Sequence, residues 1–558
     1  MSLRFGVGAV LVVSLAGCTK KGEPSQAADS PARAATLTPV EVQIAYGSEK
    51  KTWFEEQVRL FRSSQPRTNS GRPIAVTTFA MGSGEAAQGI ANGNLKPTVF
   101  SPASGAYVTL LNATWLAKAG RTRPIAPPGQ PLLLSPIVVA LWKPMAEALG
   151  WPKKELGWVD LLKVSANPQG WAAFGAPEWG KFKLGHTHPQ CSNSGLLSVL
   201  ATAYAGADKT RELTIADLEN PQVQKFIGSV EGTIVHYGKS TGFFADKMLE
   251  HGPGYLSAAV LYENLVIESY AKSGAVPLVA LYPKEGTFWS DHPFSILDAE
   301  WISPEQRGAA EALLAFLRAR PAQERALALG FRPSDPSIAL AAPLDAAHGV
   351  DPKKPQTLLD VPEGRVLEKL LEVWAAKKKG ADVVLVFDKS GSMNGRPLAE
   401  AKEGALAFLS VLHDNDDVTV LVFDDQIYAP IGPLRLRTGR ETITRRLSMI
   451  DASGGTALYQ ATARGYALAL ERAENDPLRI HAVVVMTDGR DESSSLGLAE
   501  LQTRLRTEGA PVKVFTIAYG TNADRSVLET IANTAQGSAA QGTSANIVQV
   551  FQDVASFF

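Results

Sequence analysis

The hydrophobic positions of this 558-residue chain fall into two alternations separated by a polar stretch. From about Val40 to Leu344, apolar runs such as VEVQIAY, IAVTTFA and PTVFSP alternate with helical patterns such as KKTWFEEQVRLFRSS and SGEAAQGIANG. Strands alternating with helices predict βαβ units and a largely parallel sheet. Two longer apolar runs, PLLLSPIVVALW and the downstream AVPLVALYP (Ala275 to Pro283), suit two lobes joined by two crossing strands. SPEQRGAAEALLAFLRAR and AQERALAL predict a closing helix pair.

A Pro-, Lys- and Asp-rich linker, DAAHGVDPKKPQTLLDVPEG, follows, then an amphipathic helix, RVLEKLLEVWAA. From Ala381 the alternation restarts, with DVVLVF, DVTVLVF, IHAVVVM and VKVFTIAYG as strands and helices between them, ending in a helix that reaches Phe558. Near-continuous Val, Ile and Leu in these strands means that helices cover both faces of the sheet. The region is expected to be a doubly wound α/β domain. All ten Trp lie at or before Trp374, outside it.

Length and charge narrow the class. Single cores stop growing near ~250–300 residues, so more than one domain is expected. A net charge of −1 argues against the basic face of a nucleic-acid binder, and no nucleic-acid partner is expected. At the N-terminus, the apolar run Phe5 to Ala16 is too short for a bilayer, which needs ~20 residues, and fits a secretory leader. Its ending, Leu15-Ala16-Gly17-Cys18, resembles a bacterial lipobox. That likeness implies that 1–18 is a lipoprotein signal peptide and that Cys18 carries lipid. Residues 19–38, rich in Pro, Ala, Ser and charge, would form a flexible tether. The expected location is the cell membrane or outer membrane, lipid-anchored and facing the periplasm or exterior. With Cys18 acylated, Cys191 has no intrachain partner.

The strongest chemical signal follows the first strand of the second domain. In ADVVLVFDKSGSMNG, the buried run ends in Asp388, Ser390 and Ser392. Ligands of such sheets bind at the carboxyl ends of strands. Two further loops expected at that edge carry matching groups: SGGTAL offers Thr456 and VVMTDGRDE offers Asp488. Two carboxylates with several hydroxyls suit Mg²⁺, which prefers octahedral oxygen ligands and retains waters. Two acids also leave the ion able to take one more carboxylate from outside.

DKSGS, a Thr after two glycines, and TDG after a strand together resemble the metal-ion-dependent adhesion site (MIDAS) of a von Willebrand factor A (VWA) domain. The likeness extends over Ala381 to Phe558. It implies a Rossmann-like fold with Asp388, Ser390, Ser392, Thr456 and Asp488 holding Mg²⁺, or another divalent cation such as Mn²⁺ or Ca²⁺. It further implies an unidentified protein partner that offers an acidic side chain to the metal.

The first domain is similar to bacterial extracellular solute-binding proteins of the type 2 periplasmic fold. The phrases AYGSEKKTWFEE, PEWGKFKLGHTHPQCSNSGLL, VLYENL and YPKEGTFWSDHPF carry that likeness. It implies a ligand cleft between two lobes, here for a small polar or anionic solute. Candidate contacts are Ser48, Ser83 between Gly82 and Gly84, Ser192, Asn193, Ser194, Ser240, Thr241 and Asp291 with His292. Several of these would cap helices whose free N–H groups favour anions. The organisation expected is α/β throughout. A two-lobed periplasmic-binding-protein-like domain at 39–345 leads through a linker and connecting helix, 346–380, to a VWA domain at 381–558.

Other motifs offer competing functions. YGKST resembles the end of a P-loop, with Thr233 where a Gly belongs, and GKSTG fits the nucleophile-elbow pattern. Both need a strand immediately before them. Val223, Phe226, Ile227, Val230 and Ile234 instead fall at helical spacing, which predicts a helix capped by Gly238 with Ser240 in a loop. GHTHPQC, with His186, His188 and Cys191, lacks a fourth partner and is expected to be a packed or pocket-lining loop. HDNDD lacks the calcium-loop spacing and is expected to be a solvated turn. A binding protein without catalytic residues is therefore expected. A solute-delivery subunit of an ABC-type transporter is the alternative, and a serine hydrolase using Ser240 and His292 a more distant one.

Overall fold

The structure is a computed structural model that describes residues 37–271, 276–506 and 512–558. Cys18 and nearly all of the expected leader and tether lie outside the described residues. Three sheets organise the remainder. The first runs, in spatial order, Ile74–Met81, Val40–Gly47, Val99–Ser101, Pro293–Ile296 and Gln130–Pro131. Its first three strands are parallel, and Pro293–Ile296 returns antiparallel beside Val99–Ser101. The second runs Trp289–Ser290, Leu133–Trp142, Ala258–Tyr262, Leu184–Thr187 and Ile234–Gly238. Each sheet belongs to one lobe. Some of their helices are amphipathic and capped by a side chain at the first turn. In Pro304–Arg318, for example, Ser303 accepts from the Gln306 N–H at 3.2 Å while Gln306 Oε1 accepts from the Ser303 N–H at 3.0 Å.

The lobe crossings depart from expectation. One is the stretch Gln130 to Trp142, which enters both sheets, as PLLLSPIVVALW predicts. The other is Trp289 to Ile296, not the apolar run around Leu278–Leu281, which pairs beside Leu133–Trp142 inside the second lobe. Hydrophobicity alone marks burial, and a strand buried within one lobe is as apolar as one that crosses. The second sheet is also mixed rather than largely parallel. Leu133–Trp142 pairs antiparallel with Trp289–Ser290, Ala258–Tyr262, Leu278–Leu281 and Arg332–Pro333.

A further correction concerns YGKST. The helix Pro221–Glu231 stops before it, and Ile234–Gly238 is a strand parallel to Leu184–Thr187. The apolar spacing runs on across the turn at Gly232, but Ile234, Val235 and Tyr237 are β-branched or aromatic residues that prefer the pleated sheet.

The third sheet runs Ile431–Arg435, Asp417–Phe423, Ala381–Asp388, Ile480–Thr487, Val512–Tyr519 and Ala539–Gly542. All its pairings are parallel except that of the edge strand Ile431–Arg435. Both edge strands, IGPLR and AAQG, are too short and polar to stand out in the sequence. Every residue of the central strand Ala381–Asp388 is buried.

The stretch expected to be a linker is fastened. Arg332 pairs with Glu263 at 2.8 and 2.7 Å and donates to the carbonyls of Asp351, Pro352 and Lys354. Beyond it, the helix Gly364–Lys377 buries Leu367, Leu370, Val373 and Trp374. Trp374 Nε1 donates to Glu231 Oε2 at 3.0 Å, and its ring lies edge-on to His188 and Tyr237. Among the described residues, no helix is long and apolar enough to cross a membrane.

Removing the Trp374 side chain leaves a large cavity beside an acid that loses one donor. Trp374→Ala is expected to destabilise the protein by about 3–5 kcal/mol. Chemical denaturation followed by circular dichroism measures it, and an unchanged midpoint would contradict this packing.

Candidate functional site

Three loops meet at the carboxyl edge of the third sheet. Asp388 ends the central strand with no exposure, because its backbone continues the parallel ladder and its side chain turns back under the loop. Its Oδ1 accepts from the Ser390 N–H at 2.7 Å, and its Oδ2 accepts from the Thr487 hydroxyl. Ser390 Oγ and Ser392 Oγ lie 3.2 Å apart, and Ser392 Oγ donates to Asp488 Oδ1 at 2.7 Å. The loop bearing Thr456 is drawn in by backbone bonds. Gly391 N–H donates to Gly454 C=O at 2.9 Å, and the N–H groups of Glu492 and Ser493 donate to Thr456 C=O at 2.9 and 3.0 Å. At Gly489 a Cβ would stand 3.3 Å from Thr456 Oγ1, so the loops of Asp488 and Thr456 are in contact. Gly395, at φ 81°, ends the first loop in a conformation that favours glycine.

The electrostatics of this cluster are one-sided. Burial pushes the Asp388 carboxyl up to about 6, against the hydrogen bonds from Thr487 and Ser390, and the charge of Asp488 adds to the rise. Burial also raises Asp488. The neighbouring Lys389 turns its ammonium to Asp424 and Ser453, both at 2.5 Å. The donor set is carboxylate and hydroxyl oxygen throughout, which is the chemistry of a hard divalent cation.

The cleft candidates divide. Asn193 is held by the Ser104 hydroxyl at 2.6 Å and donates to the Tyr262 hydroxyl at 3.1 Å. Thr241 Oγ1 lies 3.1 Å from Ser192 Oγ and 2.8 Å from Ser194 Oγ, which is also 2.7 Å from Thr187 Oγ1. Asp291 accepts from the Gly105 N–H at 2.9 Å. Ser48 faces the start of the helix Thr241–His251, where a Cβ on Gly242 would meet its carbonyl oxygen at 3.4 Å. These residues come from both lobes and line one buried polar seam.

The expected anion-binding helix start at Ser83 is not open. The N–H groups of Gly84 and Glu85 donate to Cys191 C=O, at 2.9 and 3.2 Å, and Ser83 Oγ accepts from the Ala103 N–H at 3.0 Å. Neither Ser192 nor Ser240 uses its side chain as a cap. The sequence cannot tell a free helix end from one closed by the opposite lobe.

The seam also holds residues that sequence reasoning missed. Glu49 lies 3.1 Å from Lys50 and 3.2 Å from His292 Nδ1, all three nearly fully buried. Burial opposes the Glu49 charge, but Lys50 and His292 outweigh it and hold the carboxyl down at about 2. The Lys50 ammonium also donates to Ser101 C=O at 2.9 Å and Pro102 C=O at 3.3 Å. In the sequence, SEK after a strand resembles the exposed first turn of a helix, and nothing local marks it as interior.

The remaining motifs settle structurally. Ser240 does follow a strand and precede a helix, so that objection to a nucleophile elbow falls. Its backbone is ordinary extended chain at φ −142°, and among the described residues no histidine hydrogen-bonds its hydroxyl. His292 serves Glu49 instead. His186, expected in a loop, lies in the buried strand Leu184–Thr187 and bridges Thr187 C=O and Glu231, at 2.7 and 3.1 Å. Among the described residues no group of three or more His, Cys, Asp or Glu is placed to hold a metal. HDNDD is not a solvated turn: Asp416 is buried and accepts from the N–H groups of Ala381 and His413, each at 2.7 Å.

Residues 42–332 match the bacterial extracellular solute-binding protein family, and residues 382–553 match the von Willebrand factor type A domain. The chain belongs to that solute-binding family and carries a VWA domain after it. An uncharacterized protein of Synechocystis is 32% identical over 159 residues, covering 28% of this chain and 36% of the relative. An uncharacterized protein of Mycobacterium tuberculosis is 23% identical over 436 residues, covering 73% of this chain and 60% of the relative. The chain thus spans less than two thirds of either relative. Among solved structures, a periplasmic thiamin binding protein matches 61% of this chain and 96% of its own, at 12% identity and TM-score 0.43.

The raised Asp388 carboxyl yields a pH dependence. In the folded protein it keeps its proton up to about pH 6, whereas an unfolded Asp titrates near ~3.9. The resulting stabilisation is complete below the unfolded value and is lost as pH rises to about 6. In chelator-treated protein, Asp388→Asn should flatten this loss, by up to about 3 kcal/mol. Urea unfolding of both proteins across that window tests it, and parallel curves would contradict the raised carboxyl.

Proposed function

We propose that this chain is a lipid-anchored extracytoplasmic binding protein. A small polar solute occupies the seam between its lobes, and its VWA domain grips a partner protein through Mg²⁺. The observation that carries this reading is the meeting of Asp388, Ser390, Ser392, Thr456 and Asp488 from three loops at one sheet edge. These residues would hold the ion, which supplies an electrophilic position for an acidic side chain of the partner. Buried acids without a neighbouring cation support a divalent ion rather than a purely structural cluster. The seam favours a neutral polar solute over an anion, since Cys191 takes the N–H groups at Ser83 and Lys50 is shared among Glu49 and two carbonyls. The protein acts by binding, with no chemistry of its own. Cys18 places it on a cell-envelope membrane, facing the periplasm or exterior.

Calorimetry on the full chain tests the metal reading: Mg²⁺ binds the parent, and Asp388→Ala abolishes the heat. Equal binding by the variant would sink the assignment. For the anchor, Cys18→Ser should move the protein from the membrane to the soluble fraction, and retention on the membrane refutes lipidation at that residue.

A further inference from the structure

The solute-binding domain closes on itself along a lip formed by Pro189, Gln190 and Cys191 of one lobe and the helix Ser83–Asn92 of the other. The fit is tight enough that only glycine serves at two positions: a Cβ at Gly82 would stand 2.3 Å from Cys191 C=O, and one at Gly84 2.0 Å from Gln190 C=O. Beside this lip lies Lys239. Its ammonium is 3.1 Å from Glu85 Oε1 in the first lobe and 2.7 Å from Asp553 Oδ2 in the VWA domain. Lys239 itself belongs to the second lobe, directly after the strand Ile234–Gly238. One cation therefore joins all three bodies, with each side chain about three-quarters buried, at 25%, 25% and 28% exposure.

Other contacts fasten the VWA terminus to the second lobe and the connecting helix to both lobes. The Tyr237 N–H donates to Phe557 C=O at 3.2 Å, and Phe243 packs edge-on to Phe557. Lys378 Nζ donates to Phe558 C=O at 3.1 Å. The helix Gly364–Lys377 packs on Gly105–Leu116 of the first lobe and on Asn193–Ala207 and Pro221–Glu231 of the second. A Cβ at Gly364 would already lie 2.8 Å from Ala113.

We infer that the connecting helix Gly364–Lys377 straps the two closed lobes, and that the last VWA helix, Ile547–Ala555, is fastened to the second lobe and holds Lys239 toward Glu85 of the first, so that the Glu85–Lys239–Asp553 triad latches the lip. Opening the seam for solute exchange must break Glu85 from Lys239 and slide Gly105–Leu116 along the connecting helix. Whatever shifts the VWA terminal helix therefore shifts the balance between open and closed lobes, and the converse holds by linkage. The strap rests on the solute-binding fold alone and not on the metal reading.

Distances between the lobes test it in the full chain. Cys18→Ser and Cys191→Ser remove both native thiols, and Lys96→Cys and Lys163→Cys place spin labels on exposed positions of the first and second lobes. Pulsed electron resonance on this parent should give a single short-distance population. Asp553→Asn, which leaves every side chain of the two lobes unchanged, and Lys239→Met should each raise a longer-distance population about fivefold, as expected for loss of a partly buried ion pair. The double variant should add nothing beyond Lys239→Met, since both act through one ammonium. Thermal unfolding of each variant verifies that it is folded, with Glu85→Gln replacing any that is not. A distance distribution in Asp553→Asn that superimposes on the parent overturns the proposal. So does a parent that is already open, or opening by Lys239→Met without opening by Asp553→Asn. Calorimetric Mg²⁺ binding, measured on the same proteins, reports the metal reading separately.

Discussion

The carboxyl group of Glu231 holds the molecule together. At 1% exposure it must find partners inside the protein, because a buried acid without them costs several kcal/mol. It finds three: the Tyr237 hydroxyl at 2.8 Å, Trp374 Nε1 at 3.0 Å and His186 Nε2 at 3.1 Å. These come from the strand Ile234–Gly238, the connecting helix and the strand Leu184–Thr187 that leads into the lobe lip. Satisfying one acid therefore fixes three elements that the chain separates widely. The strap over the lobes and the docking of the VWA terminus beside Tyr237 follow from that placement.

The two binding regions solve one problem in different ways. Both lie where buried parallel strands end, the position at which backbone groups and short polar side chains converge. In the VWA domain the loops are short, and the oxygens of Ser390, Ser392 and Asp488 are left close together, with no side-chain cation among the described residues hydrogen-bonded to them. In the solute-binding domain the opposite lobe supplies many of the partners. Cys191 C=O meets the helix start at Gly84 and Ser104 meets Asn193, while the crossing stretch brings His292 to Glu49. The first arrangement leaves a demand for positive charge. The second leaves a largely self-satisfied polar seam.

Legibility in the sequence follows the range of the interactions involved. The loops of Asp388 and Asp488 are legible because each is a local motif at the end of an apolar run, and that of Thr456 because it carries a paired glycine and a hydroxyl before a helix. The strand Ile234–Gly238 is ambiguous in the sequence because its apolar spacing also fits the end of the preceding helix, and pairing with Leu184–Thr187 decides between the two. Glu49 and Lys50 escaped notice because charged residues beside a helix start are ordinary on a surface. Partners distant in sequence make them interior: His292 for Glu49, and the carbonyls of Ser101 and Pro102 for Lys50.

Local pattern alone determined the two α/β domains, the three oxygen-bearing loops and the identity of their carboxylate and hydroxyl groups, since periodicity and turn chemistry act over a few residues. Tertiary structure alone decided which helix ends stay free, which residues cross between the lobes, and that an apparent linker is a strap. Those outcomes depend on partners hundreds of residues away, such as Cys191 for Gly84 and Asp553 for Lys239. No local preference encodes such a partner; the packed fold supplies it.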